Sequence, residues 1–164
     1  MLRTRGLSPP RGGFVSTLKT TIDQSAQHSA MHLTSVYERP DRLQLLWNLL
    51  SEREPEQNIS HHEMPSWEQH SRFVESRPYA DWCFIEEGKR VLGAVYLTKN
   101  NEIGVHIYKE HQHKGAGPWA VDAIMLRHGK RPYLANVSPR NLRSANMFCK
   151  LGFHMIQAVY EKSV

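Results

Sequence analysis

With 164 residues, 40% of them hydrophobic, the chain has enough material for one compact domain that buries roughly two-thirds of the surface its unfolded form exposes. The net charge of +5 looks basic, but Arg3, Arg5, Arg11 and Lys19 against Asp23 place +3 of it in the first thirty residues, and the remaining +2 does not indicate nucleic acid as a partner. No apolar run approaches the roughly 20 residues of a membrane-spanning helix, so a soluble protein without a membrane partner is expected.

Cys83 and Cys149 have neither C-x-x-C spacing nor the count of a secreted disulfide framework. Both read as core residues in a reducing compartment, which makes the expected location cytoplasmic.

Residues 1–30 carry Pro9, Pro10, Gly12, Gly13 and many Ser and Thr without sustained periodicity, the composition of a disordered extension. An Arg-rich, Ser/Thr-rich, acid-poor N-terminus also fits an organellar transit peptide, and a natural start at Met31 is the more mundane alternative, since patterned sequence begins immediately after it. Residues 31–164 then form the domain. A short strand is predicted near 32–37, followed by a helix opened by Pro40-Asp41 with Leu43, Leu46, Trp47 and Leu50 on one face. A polar loop over about 52–65 leads to Ser66 and Gln69, a capping box, and a second helix striped by Trp67, His70, Phe73 and Val74 that ends near Arg77-Pro78.

Three strand-like runs follow at 81–86, 91–98 and 102–108, separated by the turn residues Glu87-Gly88 and Lys99-Asn100-Asn101, as in an antiparallel meander. Beyond a Gly-containing loop the pattern predicts a helix from Pro118 to His128, a strand over 132–138, a helix from Asn141 to Leu151 stopped by Gly152, and a strand over 153–160.

The chemistry concentrates where the third strand of the meander feeds Gln112-His113-Lys114-Gly115-Ala116-Gly117 and then a helix. Glycines let the backbone curl so that several N–H groups converge, and a helix N-terminus adds partial positive charge, so such a loop can hold a phosphate. Alone, a Gly-x-Gly before a helix is more often a tight structural turn.

The run matches the Gln/Arg-x-x-Gly-x-Gly/Ala motif of GCN5-related N-acetyltransferases, the GNAT family. About thirty residues on, Asn141-x-x-Ser144-x-x-x-Phe148-x-Lys150-x-Gly152-Phe153 is similar to the second motif of the same family. The resemblance is specific over about 102–157, rests on element order alone over 32–98, and excludes residues 1–30.

The resemblance implies an α/β fold: a twisted, mostly antiparallel mixed sheet flanked by helices, with a central parallel pair of strands, 102–108 and 132–138, splayed to admit acetyl-CoA. It implies that the pantetheine pairs with backbone at Val105, His106 and Ile107, and that the pyrophosphate sits on His113, Lys114, Gly115, Ala116 and Gly117 beside Gln112. Asn141 would bond the pantetheine arm, a role compatible with capping the helix after it. The implied reaction is direct attack of an amine on the thioester. Relatives often carry a tyrosine at the position of Phe148 to protonate the leaving thiol, and some a carboxylate at the position of Asn136, so this chain departs at both.

Glu102, His106 and the loop cluster His61-His62-Glu63 are the candidate bases, His106 because an imidazole accepts a proton near neutrality. No metal is expected, because His61 and His62 are adjacent and His111 and His113 flank the glycine loop, neither pair having the helical i,i+4 spacing of a zinc site. The acceptor amine stays open among amino sugars, peptide N-termini, antibiotics, polyamines and modified nucleobases, and a homodimer is compatible with the sequence. The competing reading is a non-catalytic acyl-CoA sensor or interaction module of the same fold.

Overall fold

The computed structural model describes residues 30–54, 63–160 and 162; the expected N-terminal extension and the loop histidines His61 and His62 lie outside the described residues. Four strands, β1 (Met31–Ser35), β2 (Asp81–Glu87), β3 (Arg90–Leu97) and β4 (Ile103–Ile107), form one antiparallel sheet in the order β1-β2-β3-β4. The β2–β3 hairpin turns at Gly88, whose φ of 62° is left-handed backbone that glycine adopts without a Cβ penalty.

Strand alternation sends two residue sets to opposite faces. Cys83, Ile85, Val95, Leu97 and Ile103 face α3 (Ala116–His128), together with Phe148 of α4 (Leu142–Lys150). Trp82, Phe84 and Ala94 face the other way, with Leu46 and Leu49 of α1 (Arg42–Ser51) and Val74 of α2 (Trp67–Glu75). Each such side chain taken fully out of water stabilises the fold by about 1.5–3 kcal/mol, and the two layers lock the sheet between helix pairs.

The predicted capping box is present: Ser66 Oγ accepts from Gln69 N–H and the Gln69 side chain accepts from Ser66 N–H. His70, the polar break in the α2 stripe, is buried with its Nε2 3.0 Å from the Leu43 carbonyl, which ties α2 to α1. Asp81 binds the other layer. Its carboxylate accepts from Arg127 at 3.2 Å, from Cys83 Sγ at 3.2 Å and meets His128 Nε2 at 2.9 Å, fixing the end of α3 to β2. Burial of the Cys83 thiol, reinforced by Asp81, pushes its pKa up to about 12, so it is a packed, unreactive group. Cys149 departs from the expected core position: one residue past the buried Phe148, it turns out to solvent.

Two predicted strands differ. Over 132–138 only Leu134 joins the sheet, donating to the Asn101 carbonyl at 3.0 Å and accepting from Ile103 N–H at 2.8 Å in a single parallel bridge with Glu102. The parallel contact thus lies at the outer edge of β4, and Pro132 and Pro139 bound a segment with no further ladder. Over 153–160 no strand forms. Beyond Phe153, which packs on the core, its large apolar residues come as neighbours, Met155-Ile156 and Val159-Tyr160, which a strand would point to both faces at once, and all four are exposed among the described residues.

Candidate functional site

Among the described residues the outer edge of β4 is open along most of its length. Ile103 spends its N–H outward on Leu134 and Tyr108 directs its own inward to Leu92 of β3, so alternation turns the backbone of Val105 and Ile107 outward and that of Gly104 and His106 inward. The Ile107 carbonyl is taken by the Gln112 side-chain amide at 3.0 Å. Val105 is therefore the residue of the predicted trio whose N–H and C=O both face the splay. His106 contributes its side chain, not its backbone, to this region.

After β4 a 3-10 turn at Lys109–His111 delivers the glycine loop. His113 has φ 63° and Gly115 φ 84°, so the chain curls through left-handed backbone before α3 begins at Ala116, two residues earlier than the predicted Pro118. None of the backbone hydrogen bonds found among the described residues uses the N–H of His113, Lys114 or Gly115. These donors, with the first N–H groups of α3 behind them, fit an oxyanion as ligand. At Gly115 an added Cβ meets no atom within 4 Å, whereas at Gly117 it would lie 3.2 Å from Met147 Sδ of α4, so Gly117 also serves close helix packing.

Gln112 bridges the two motifs. While its amide nitrogen holds Ile107, its oxygen accepts from Arg143 Nη1 at 2.5 Å. Arg143 was not anticipated; a cation two residues past Asn141, in the first turn of the helix carrying the second motif, was the available sign. Asn141 caps α4, its Oδ1 accepting from Ser144 N–H at 3.1 Å. Phe148 packs in the core with its ring against Phe153, centroids 5.1 Å apart.

On the sheet face toward α1 and α2, Glu102, Gly104 and His106 line up with Tyr96 of β3. Tyr96 crosses directly over Gly104, where an added Cβ would fall 2.1 Å from its ring. Its ring stacks on Tyr79 at 4.1 Å between centroids, 9° from parallel, and burial raises the pKa of both phenols. The Glu102 carboxylate accepts from Thr98 Oγ1 at 3.2 Å and from Asn136 Nδ2 at 2.9 Å. Burial first, then the positive fields of Arg53 and Arg143, depress the His106 pKa to about 4, so His106 is neutral at physiological pH and does not have the near-neutral pKa expected of it from sequence. Glu63 lies at the exposed entry to α2, and its partners in the predicted cluster are outside the described residues.

The family model of the GNAT acetyltransferases matches residues 43–153, which include β2 to β4, the glycine loop and the Asn141 helix. The chain belongs to the GNAT acetyltransferase family. Its fold is that of solved structures at low identity. A domain from Methanocaldococcus jannaschii superposes with a TM-score of 0.68 at 23% identity, covering 81% of this chain and 94% of that one. The spermidine/spermine N-acetyltransferase SpeG from Vibrio cholerae gives 0.57 at 18%, covering 76% and 78%. The protein yncA from Salmonella typhimurium, crystallised with its cofactor acetyl-CoA, gives 0.56 at 16%, covering 76% and 78%. No curated protein matches the sequence. As an acyltransferase-family member the GNAT chain carries no helix, among the described residues, long and apolar enough to cross a membrane.

Proposed function

We propose that this GNAT chain moves an acetyl group from acetyl-CoA to a primary amine by direct attack. The observation that carries the reading is a set of backbone donors with no partner among the described residues: Val105 N–H, which strand alternation turns to the outer edge of β4, and the N–H groups of His113, Lys114 and Gly115 at the head of α3. A thioester carbonyl and a pyrophosphate are the chemistry such donors match. Acetyl-CoA supplies the activated acyl group.

Val105 N–H stabilises the carbonyl oxygen as it gains charge, and the glycine loop fixes the nucleotide end. Gln112 keeps strand and loop in register by bonding Ile107. Glu102, steadied by Thr98 and Asn136, receives the proton released as the amine nitrogen bonds to the acyl carbon and the carbon–sulfur bond breaks. His106, neutral, accepts a hydrogen bond from the incoming amine. Solvent protonates the thiolate, whose pKa of about 8.5 makes it a tolerable leaving group without a tyrosine at Phe148.

The test is release of free CoA thiol from acetyl-CoA across a panel of amines, alongside calorimetric binding of acetyl-CoA. Turnover on at least one amine is expected. Tight binding with no thiol release from any class would replace transfer with the sensor reading.

A further inference from the structure

The two motif segments are joined through one side chain on each. Gln112, which opens the glycine loop, donates its amide to the Ile107 carbonyl at 3.0 Å and accepts from Arg143 Nη1 at 2.5 Å. Arg143 stands in the first turn of α4, the helix that Asn141 caps by accepting from Ser144 N–H at 3.1 Å. Its guanidinium therefore reaches from α4 across to the loop. There it is fixed on the residue just before His113, Lys114 and Gly115, whose N–H groups find no partner among the described residues.

That tether leaves the charge unspent. A neutral amide fixes the place of a guanidinium without neutralising it, and the bond to Gln112 uses one of five N–H donors. Arg143 is exposed and, among the described residues, enters no ion pair. The cation inside the loop is directed elsewhere: Lys114 Nζ donates to the Glu110 carbonyl at 2.9 Å, on the 3-10 turn before the loop. Glu110, the acid nearest the loop in the chain, turns its own carboxylate to His111, 3.2 Å from Nε2. A planar set of charged donors beside backbone N–H groups suits phosphate oxygens, because parallel charge-assisted bonds match their geometry.

We propose that Arg143 binds a phosphate oxygen of acetyl-CoA, with Gln112 as the positioning residue that holds the guanidinium at the mouth of the loop. This deepens the acetyl-CoA reading and rests on it: the phosphates are gripped from the glycine loop and from α4 together. The pyrophosphate and the phosphate on the ribose present the same chemistry, and a series of thioesters separates them.

The measurement is calorimetry on the full chain with acetyl-CoA, with acetyl-dephospho-CoA, which lacks the ribose phosphate, and with S-acetylpantetheine, which lacks every phosphate. The parent is compared with Arg143→Gln and Arg143→Lys. Arg143→Gln should bind acetyl-CoA about tenfold or more weakly, with a shallower dependence of affinity on salt. Arg143→Lys keeps the charge and should recover part of the loss. The thermal midpoint of the free protein should hold in both, because the bond between Arg143 and Gln112 is exposed. A loss that persists with acetyl-dephospho-CoA assigns Arg143 to the pyrophosphate, and one that disappears assigns it to the ribose phosphate. Unchanged acetyl-CoA affinity, a salt dependence equal to the parent's, or an equal loss with S-acetylpantetheine overturns the inference while the cofactor reading stands. If the parent itself does not bind acetyl-CoA, that reading falls and the role of Arg143 with it.

Discussion

Asn136 Nδ2 and Glu102 Oε1 lie 2.9 Å apart, joining the 132–138 segment to β4 at the foot of the splay. A carboxylate held this way has its second oxygen, also reached by Thr98, turned along the face that carries Tyr96 and His106. Glu102→Gln keeps the shape and both neighbours but removes proton acceptance. It should lower kcat by about a hundredfold with little change in acetyl-CoA affinity or thermal midpoint. An undiminished kcat would move the base elsewhere.

The glycine loop makes a sharper test of the cofactor half. Because a Cβ at Gly115 meets nothing, Gly115→Glu should fold, at a cost of about 1–2 kcal/mol for left-handed backbone. On the proposed reading the added carboxylate brings a negative charge onto the loop that would hold the pyrophosphate, so acetyl-CoA affinity should fall by about a hundredfold or more. Calorimetry on a variant shown to be folded settles it, and unchanged affinity removes the phosphate site from this loop.

The contrast between these two halves explains what the residues revealed before any coordinates. Local chemistry was readable: Ser66 and Gln69 cap α2, Gly88 and Gly115 sit in left-handed turns, and Asn141 caps α4, because each depends on neighbours within about four positions. The fate of 132–138 and 153–160 was not, since a strand exists only if an edge is available to pair with it, and apolar composition says nothing about the edge. The link from Gln112 to Arg143 spans 31 positions and follows from how α4 docks, not from any spacing.

His106 was misjudged for the same reason. An imidazole in an unfolded chain titrates near 6.5; here burial and two arginines bring it to about 4. The unfolded chain therefore holds the extra proton between those values, so the stability tied to neutral His106 is complete above about pH 6.5 and declines as pH falls toward 4. Comparing thermal midpoints of the parent and His106→Gln from pH 7 to 4 should show the parent losing more over that window. Parallel curves would mean that His106 titrates normally. The rate profile of the parent should likewise lack an inflection near 6.5 from this residue.

The crossing of Tyr96 over Gly104 carries the last prediction. A methyl at Gly104 would sit 2.1 Å from the ring, far inside contact, and the ring cannot slide because Tyr79 stacks on it. Gly104→Ala should therefore cost about 1–3 kcal/mol, the range for overpacking a filled site. Under the proposed transfer it should also raise the acceptor KM more than that for acetyl-CoA, since the displaced ring shares a face with Glu102 and not the outer edge of β4. Tyr96→Leu alone loses the stack. In the double variant the clash is gone, so the two costs should fall short of additive by at least about 0.5 kcal/mol, the mark of residues in contact. Denaturant titration of the four proteins in the cycle measures this directly. Additive costs, or a Gly104→Ala protein as stable as the parent, would show that Tyr96 has room to leave, and the stacked pair would no longer be a fixed part of the face that carries Glu102.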